Sequence, residues 1–135
     1  MNSDNLLLLL KEGNHTLVVK NGNTETFNGR GVANLYILLK NRPDFLQGAE
    51  IADKAVGKAA AALMILGGVK QLSAGLISRN ALDLLEKYPL PVNFEKEVPY
   101  ILNRSQTDRC PLESLCQTCA TPQECLSAIK TFLHR

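Results

Sequence analysis

Long apolar runs, runs of like charge and histidine are all scarce in this 135-residue chain, and tryptophan is absent. The five leucines of "NLLLLLK", like the eight apolar residues of "AAAALMIL", fall far short of the roughly 20 residues that a spanning helix needs. No basic region precedes the leucines and no small-residue cleavage site follows, so a signal peptide is not indicated either. The expectation is a cytoplasmic protein with no membrane partner. The 15 basic and 13 acidic residues are interspersed and leave a net charge of +2, so no polybasic face points to nucleic acid. The only two histidines, His15 and His134, fall in a hairpin and beside the C-terminus. Neither has a cysteine next to it, which weakens nucleophilic chemistry of the Cys-His type.

The length and the 45% apolar content fit one folded domain over residues 1–135, with neither disorder nor a low-complexity tail. Ser3 or Asp4 can cap a short N-terminal helix that runs through Lys11 and ends at Gly13. "HTLVVK" and "TETF" flank Asn21-Gly22, a pair suited to a type I′ turn, so a β-hairpin is expected. "VANLYILLKN" has helical periodicity and stops before Pro43. "GAEIAD" reads as a short strand leading into the helix "DKAVGKAAAALMILGG", with Asp53 as its N-cap and Gly67-Gly68 as its end. "VKQLSAGLIS" reads as a strand, and "RNALDLLEKY" as a helix that stops at Pro89 and Pro91. "EKEVPYILNR" reads as a further strand, in which Pro99 requires an edge position or a bulge.

An opening hairpin followed by alternating strands and helices predicts a three-layer α/β/α sandwich whose mixed sheet has its later strands parallel. Ligands on such sheets bind at strand C-terminal ends near helix N-termini. That directs attention to the loops at Asp53, at Ser78–Asn80 and at Asn103–Cys110.

The segments "DKAVGKAAA", "LIS", "VPYILNR" and "CPLE", in that order over residues 14 to 115 or so, resemble a bacterial family of domain of unknown function eighteen ninety-three. The resemblance implies a cytidine-deaminase-like fold. It also implies that Asp53, Lys54, Gly57, Lys58, Asn103, Arg104, Cys110 and Glu113 match recurrent motif positions. No activity comes with the family.

Zinc deaminases need a His or Cys ligand, a Glu two residues later and a P-C-x-x-C pair at the next helix. This chain has Asp53-Lys54-Ala55 at the first place and Ser78-Arg79-Asn80-Ala81 at the second, so hydrolytic zinc deamination is not expected. The same crevice can instead take a small anionic or nucleotide-like ligand, with Lys54 and Lys58 on one helical face. Gly57, Ser78, Asn103, Arg104 and Glu113 would complete the binding set, with Asp53 and Cys110 in catalytic roles. The plain alternative is a capped helix with solvated lysines. "GK" here lacks the upstream glycine and the following Ser or Thr of a phosphate loop.

All four cysteines lie in "RCPLESLCQTCATPQEC", spaced Cys-x5-Cys-x2-Cys-x5-Cys. Pro111 suits the first position of a helix, which makes Cys110 its N-cap and a thiol at a positive dipole end, with Glu113 at the capping-box position. The bland version of that geometry is a capped helix with an inert Cys. "TPQE" is a second capping box, so Thr121 starts the last helix. Cys116 and Cys119 then end one short helix, and Cys125 falls one turn into the next. The spacing matches neither ordinary zinc pairs nor iron–sulfur repeats, yet a helix–turn–helix can bring the sulfurs of Cys110, Cys116, Cys119 and Cys125 together around zinc or an iron–sulfur cluster. Three classes therefore stay open. They are an anion-binding or enzymatic crevice, a metal or redox centre, and an interaction protein that docks, or self-associates as a homo-oligomer, through its apolar N-terminal helix.

Overall fold

The computed structural model describes residues 3–29, 31–101 and 111–134, with the side chains of residues 3–5, 31 and 113 outside the described set. Five strands form one sheet in the order β2-β1-β3-β4-β5. They are β1 (Leu17–Asn21), β2 (Asn23–Phe27), β3 (Glu50–Val56), β4 (Gln71–Ser78) and β5 (Val92–Val98). The pairs β1·β2 and β1·β3 are antiparallel, whereas β3·β4 and β4·β5 are parallel. The expected mixed α/β sheet is thus present. β5 forms one edge of it, and Pro99 follows the strand instead of interrupting it.

One face of the sheet is covered by α1 (Ser3–Glu12), whose Leu6 and Leu10 are buried with Val18 and Ala52. The other face carries the larger core, under α2 (Gly31–Asn41), α3 (Pro43–Leu46), α4 (Lys58–Gly67), α5 (Arg79–Lys87), α6 (Pro111–Cys116) and α7 (Pro122–Leu133). Among the described residues, no helix is long and apolar enough to cross a membrane. At the centre of this layer α4 buries Ala59, Ala60, Ala61, Ala62, Leu63 and Met64 together. A helix surrounded on all sides must be thin, and a run of alanines keeps it so while retaining the best helix propensity. Gly68 ends the helix at φ +75°, where its own N–H and that of Val69 reach back to Ile65 O and Met64 O.

The hairpin differs from expectation. Only Gly22 takes a positive φ, +79°, and Asn21 pairs with Asn23 across it. Asn21 is used elsewhere: its Nδ2 donates to Phe45 O at 3.0 Å and to Gln47 O at 2.8 Å, tying the hairpin to α3. That short helix, with Pro43 at its first position, is an element the periodicity did not announce.

A larger correction concerns Asp53. It lies within β3 and does not cap α4, whose N-cap is Gly57. Pairing with β4 continues through Ala55↔Leu76 and Val56↔Ile77, so the sheet ladder overrides the helical pattern of the alanine-rich segment. Lys54 is consequently an exposed strand residue, on a different element from Lys58.

Just past Asp53 the inward alternation slips. Ile51 and Val56 both enter the larger core, as do Leu72 and Ile77, and each pair is an odd number of residues apart. A regular strand alternates faces with a period of two, so each strand must slip once between those positions. Both slip at the same level, and the register continues unchanged on either side. A Cβ at Gly75 would stand 2.7 Å from the Lys54 carbonyl oxygen, so only glycine allows the two backbones this approach. Gly75→Ala should therefore destabilise the fold by about 1–3 kcal/mol, read as a lower midpoint in urea at unchanged slope.

Asp53 is 2% exposed. Its Oδ1 accepts from the Ala55 N–H at 3.3 Å, and its Oδ2 has no partner among the described residues. Burial drives its carboxyl from 3.8 up to about 7, against the pull of the Ala55 and Lys54 amides. The unfolded chain ionises first as pH rises, so the native state binds more protons across this interval and loses stability up to about pH 7. Asp53→Asn removes that dependence. The stability of the variant relative to wild type should rise by a few kcal/mol between about pH 4 and pH 8, measured by denaturant titration across that range.

Candidate metal centre

The C-terminal cysteines are brought together by two short helices and the turn between them. Cys116 is the last residue of α6, Cys119 sits in the turn, and Cys125 lies in the first turns of α7. The Cys119 N–H donates to Cys116 O at 3.1 Å, which closes the turn after α6. Thr121 caps α7 by accepting from the Glu124 N–H at 3.2 Å, and Glu124 Oε1 accepts from the Ala120 N–H at 2.9 Å. This is the predicted capping box, with its carboxylate reaching one residue further back than the cap itself.

Two lysines from other helices hold the same turn. Lys58, the first residue of α4, donates from Nζ to Gln117 O at 3.2 Å and to Cys119 O. Lys87, from the last turn of α5, donates to Ala120 O at 3.2 Å. Carbonyls left over at a helix end are the groups that cations satisfy best. These contacts span 59, 61 and 33 residues of sequence, and no local pattern in the chain announces them.

The result is a cluster in which the sulfurs of Cys116, Cys119 and Cys125 all lie within 4.8 Å of one another. Cys116 and Cys125 are buried, Cys119 is partly exposed, and none of the three is in a disulfide. Cys125 is drawn down to about 7, first by the hydrogen bond from Cys116, with the charge of Lys58 adding to it against burial. Cys116 is pushed up by that same hydrogen bond and by burial, and Cys119 is pushed up chiefly by burial. The Cys116 thiol therefore holds its proton more firmly than the Cys125 thiol. Metal ions bind thiolates, so the arrangement already favours one deprotonated donor beside two that an ion would deprotonate.

The geometry suits a single soft ion. Zinc–sulfur bonds of about 2.3 Å place thiolates about 3.8–4.0 Å apart, so sulfurs within 4.8 Å need to close by an ångström or less. An iron–sulfur cluster is normally held by four thiolates, and the described cluster offers three. The donors are all sulfur, a set that selects thiophilic ions over magnesium or calcium.

The other expected site residues are dispersed. Gly57 caps α4 in extended backbone, Lys54 is exposed on β3, and Ser78 is fully buried with its Oγ accepting from the Ala81 N–H at 3.1 Å as the cap of α5. Asn103, Arg104 and Cys110 lie outside the described residues, as does the side chain of Glu113. Two surface grooves lie elsewhere. One, of about 360 Å³, runs between α5 and β5 past Arg79, Leu82 and Phe94, and the other, of about 250 Å³, lies between α2 and α7 beside Tyr36 and Leu126. Neither is lined by Asp53, Lys54, Gly57 or Lys58.

Comparison with known proteins sets this geometry in a family. No curated protein matches the chain. Among solved structures, the crystal structure of a DUF1893 family protein, TM1506 from Thermotoga maritima, is similar over 96% of this chain and 88% of that one, with a TM-score of 0.87 and 24% identity. At that identity the likeness speaks for the fold alone. The family model described as "Domain of unknown function (DUF1893)" matches residues 5–133. The chain belongs to the DUF1893 family.

Proposed function

We propose that this protein binds one thiophilic metal ion, with zinc as the best fit, through Cys116, Cys119 and Cys125. The observation that carries the reading is the convergence of three sulfurs within 4.8 Å. Lys58 supports it. Three thiolates around a divalent ion leave one negative charge, and the Lys58 ammonium, anchored on the Cys119 carbonyl, supplies the opposite one. A buried centre tolerates charge only when it is paired, so this compensation favours the loaded state. When bound, the ion would act as a cross-link that fastens α6 to α7 and both to the start of α4.

A deaminase-like arrangement belongs to the same reading as an architecture without its chemistry. What supports it is the antiparallel hairpin beside three parallel strands, while the start of α4 holds Gly57 and Lys58 and the start of α5 holds Ser78 to Ala81, with no His or Cys at either place. A second reading, a small anionic ligand beside Asp53, is favoured by its buried and unpaired Oδ2. A protonated carboxyl there would donate a hydrogen bond to a ligand oxygen. That reading requires a metabolite whose stabilisation of the protein is lost in Asp53→Ala.

Protein purified without chelator and titrated with zinc should bind one equivalent per chain, counted by elemental analysis. Zinc at about 100 times its dissociation constant should add about 2.7 kcal/mol of stability, seen as a raised melting temperature. Cys116→Ser and Cys125→Ser should lose the ion. Lys58→Met should keep the stoichiometry and weaken the affinity at least tenfold, with Lys58→Arg recovering most of the loss. Wild-type protein that binds no zinc, and no other soft ion, would end this reading.

A further inference from the structure

The three sulfurs are not equivalent, and their differences give the centre a direction. Cys116 and Cys125 are each fully buried, whereas Cys119 is partly open to solvent. Cys116 and Cys125 are carried on helices α6 and α7, and Cys119 on the turn between them. A disulfide requires its sulfurs to come to about 2.05 Å, which demands rotation of a side chain or movement of its backbone. Cys119 lies outside both helices, so its side chain can turn without breaking a helical ladder. Both other sulfurs lie within 4.8 Å of it, but Cys116 belongs to the same closed turn, where the bond from the Cys119 N–H to Cys116 O fixes their backbones, whereas Cys125 faces it from the next helix.

We infer that Cys119 is an oxidation site for small hydroperoxides and that the product is a Cys119–Cys125 disulfide. The inference rests on the metal reading in one respect only, namely that oxidation would remove two of the three donors and expel the ion. In the first step the Cys119 sulfur attacks one oxygen of the peroxide. The S–O bond forms, the O–O bond breaks, and the other oxygen departs as an alcohol, or as water from hydrogen peroxide, with the thiol proton. Cys119 is thereby oxidised by two electrons to the sulfenic acid. In the second step the Cys125 sulfur attacks that of Cys119. The S–S bond forms, the S–O bond breaks, and the hydroxyl leaves as water with the Cys125 proton. Two thiols and one hydroperoxide thus give one disulfide, one alcohol and one water.

Geometry favours this pair in a further way. The carbonyl of Cys119 is held by Lys58 and that of Ala120 by Lys87, so the turn stays against α4 and α5 while the side chain swings. Cys116 remains reduced beneath the new bond. A dithiol reductant restores all three sulfurs and with them the metal site.

The test uses the full chain, reduced and anaerobic, treated with one equivalent of hydrogen peroxide with and without bound zinc. The thiol count should fall from four to two, with a mass loss of two hydrogens that dithiothreitol reverses. Peptide mapping should recover a Cys119–Cys125 link in wild type and in Cys116→Ser, and no such link in Cys119→Ser or Cys125→Ser. In the loaded protein zinc should appear in a colorimetric chelator in step with the disulfide. A link between any other pair, or sulfinic acid without a disulfide, would overturn the assignment. Zinc that binds and stays while no disulfide forms would overturn this inference alone. A Cys119–Cys125 link in protein that never held metal would sustain it and end the metal reading instead.

Discussion

Helix α4 has to be surrounded, and most of the architecture follows from that requirement. Its buried alanines let α2, α5 and α7 approach closely on one side and the sheet on the other. Larger side chains would hold those neighbours apart and open voids between them. A helix so enclosed can present polar chemistry only at its ends. At the C-terminal end Gly67 packs with no side chain against Leu46, where a Cβ would come within 3.0–3.1 Å of it, and Gly68 turns the chain away. At the N-terminal end stands Lys58, and its ammonium is spent on the carbonyls of the cysteine turn. The packing requirement and the candidate metal site therefore meet in one residue.

The slip in β3 and β4 is a second consequence of covering two faces with unequal layers. One helix covers one side and the remaining helices cover the other, so the ends of the central strands must direct their bulk toward the thicker layer. Val56 and Ile77 do so. The change of face brings backbone against backbone at Gly75 and leaves Asp53 folded over the Ala55 amide, in a place too dry to favour its charge. A buried carboxyl with one oxygen unpaired among the described residues is strained chemistry in a core whose other buried polar residues are Ser73 and Ser78, and such groups concentrate where function is exercised.

Much of this was legible in the residues. The hairpin, the alternation of strands and helices, the glycine stop after α4, the Thr121 cap and the edge position of β5 rest on local patterns that tertiary packing did not oppose. The start of α4 was misread because alanine and lysine favour a helix in isolation, while the parallel ladder with β4 extends β3 by three residues past Asp53. The Asn21 turn was misread because the hydrogen bonds that claim Asn21 come from residues more than 20 positions away. The cysteine cluster was half legible. Its spacing allowed convergence without requiring it, since only folding determines how the turn between Cys116 and Cys125 is closed. Lys58 and Lys87 could not be recognised as its supports, because a lysine at a helix end reads the same whether it meets solvent or a distant carbonyl.

Such supports matter because α6 has only six residues. An isolated helix needs about 12–15 residues before its propagation offsets the loss of entropy in its first turn. Helix α6 must therefore be held by what surrounds it. Leu112 and Cys116 bury one side of it, Lys58 and Lys87 hold the turn that follows, and the capping box fixes the entrance to α7. Each of these contacts is modest, and the three lysine hydrogen bonds exchange hydration for protein carbonyls at a net gain of about 1.5–3 kcal/mol each at most. Three thiolates on one ion would add a constraint of another order, because structural zinc binding couples its free energy directly to folding. On this argument the sulfurs lie where the chain is least able to hold itself. The same location explains how a change in their oxidation state could be felt beyond them, through Lys58 at the start of α4 and Lys87 at the end of α5.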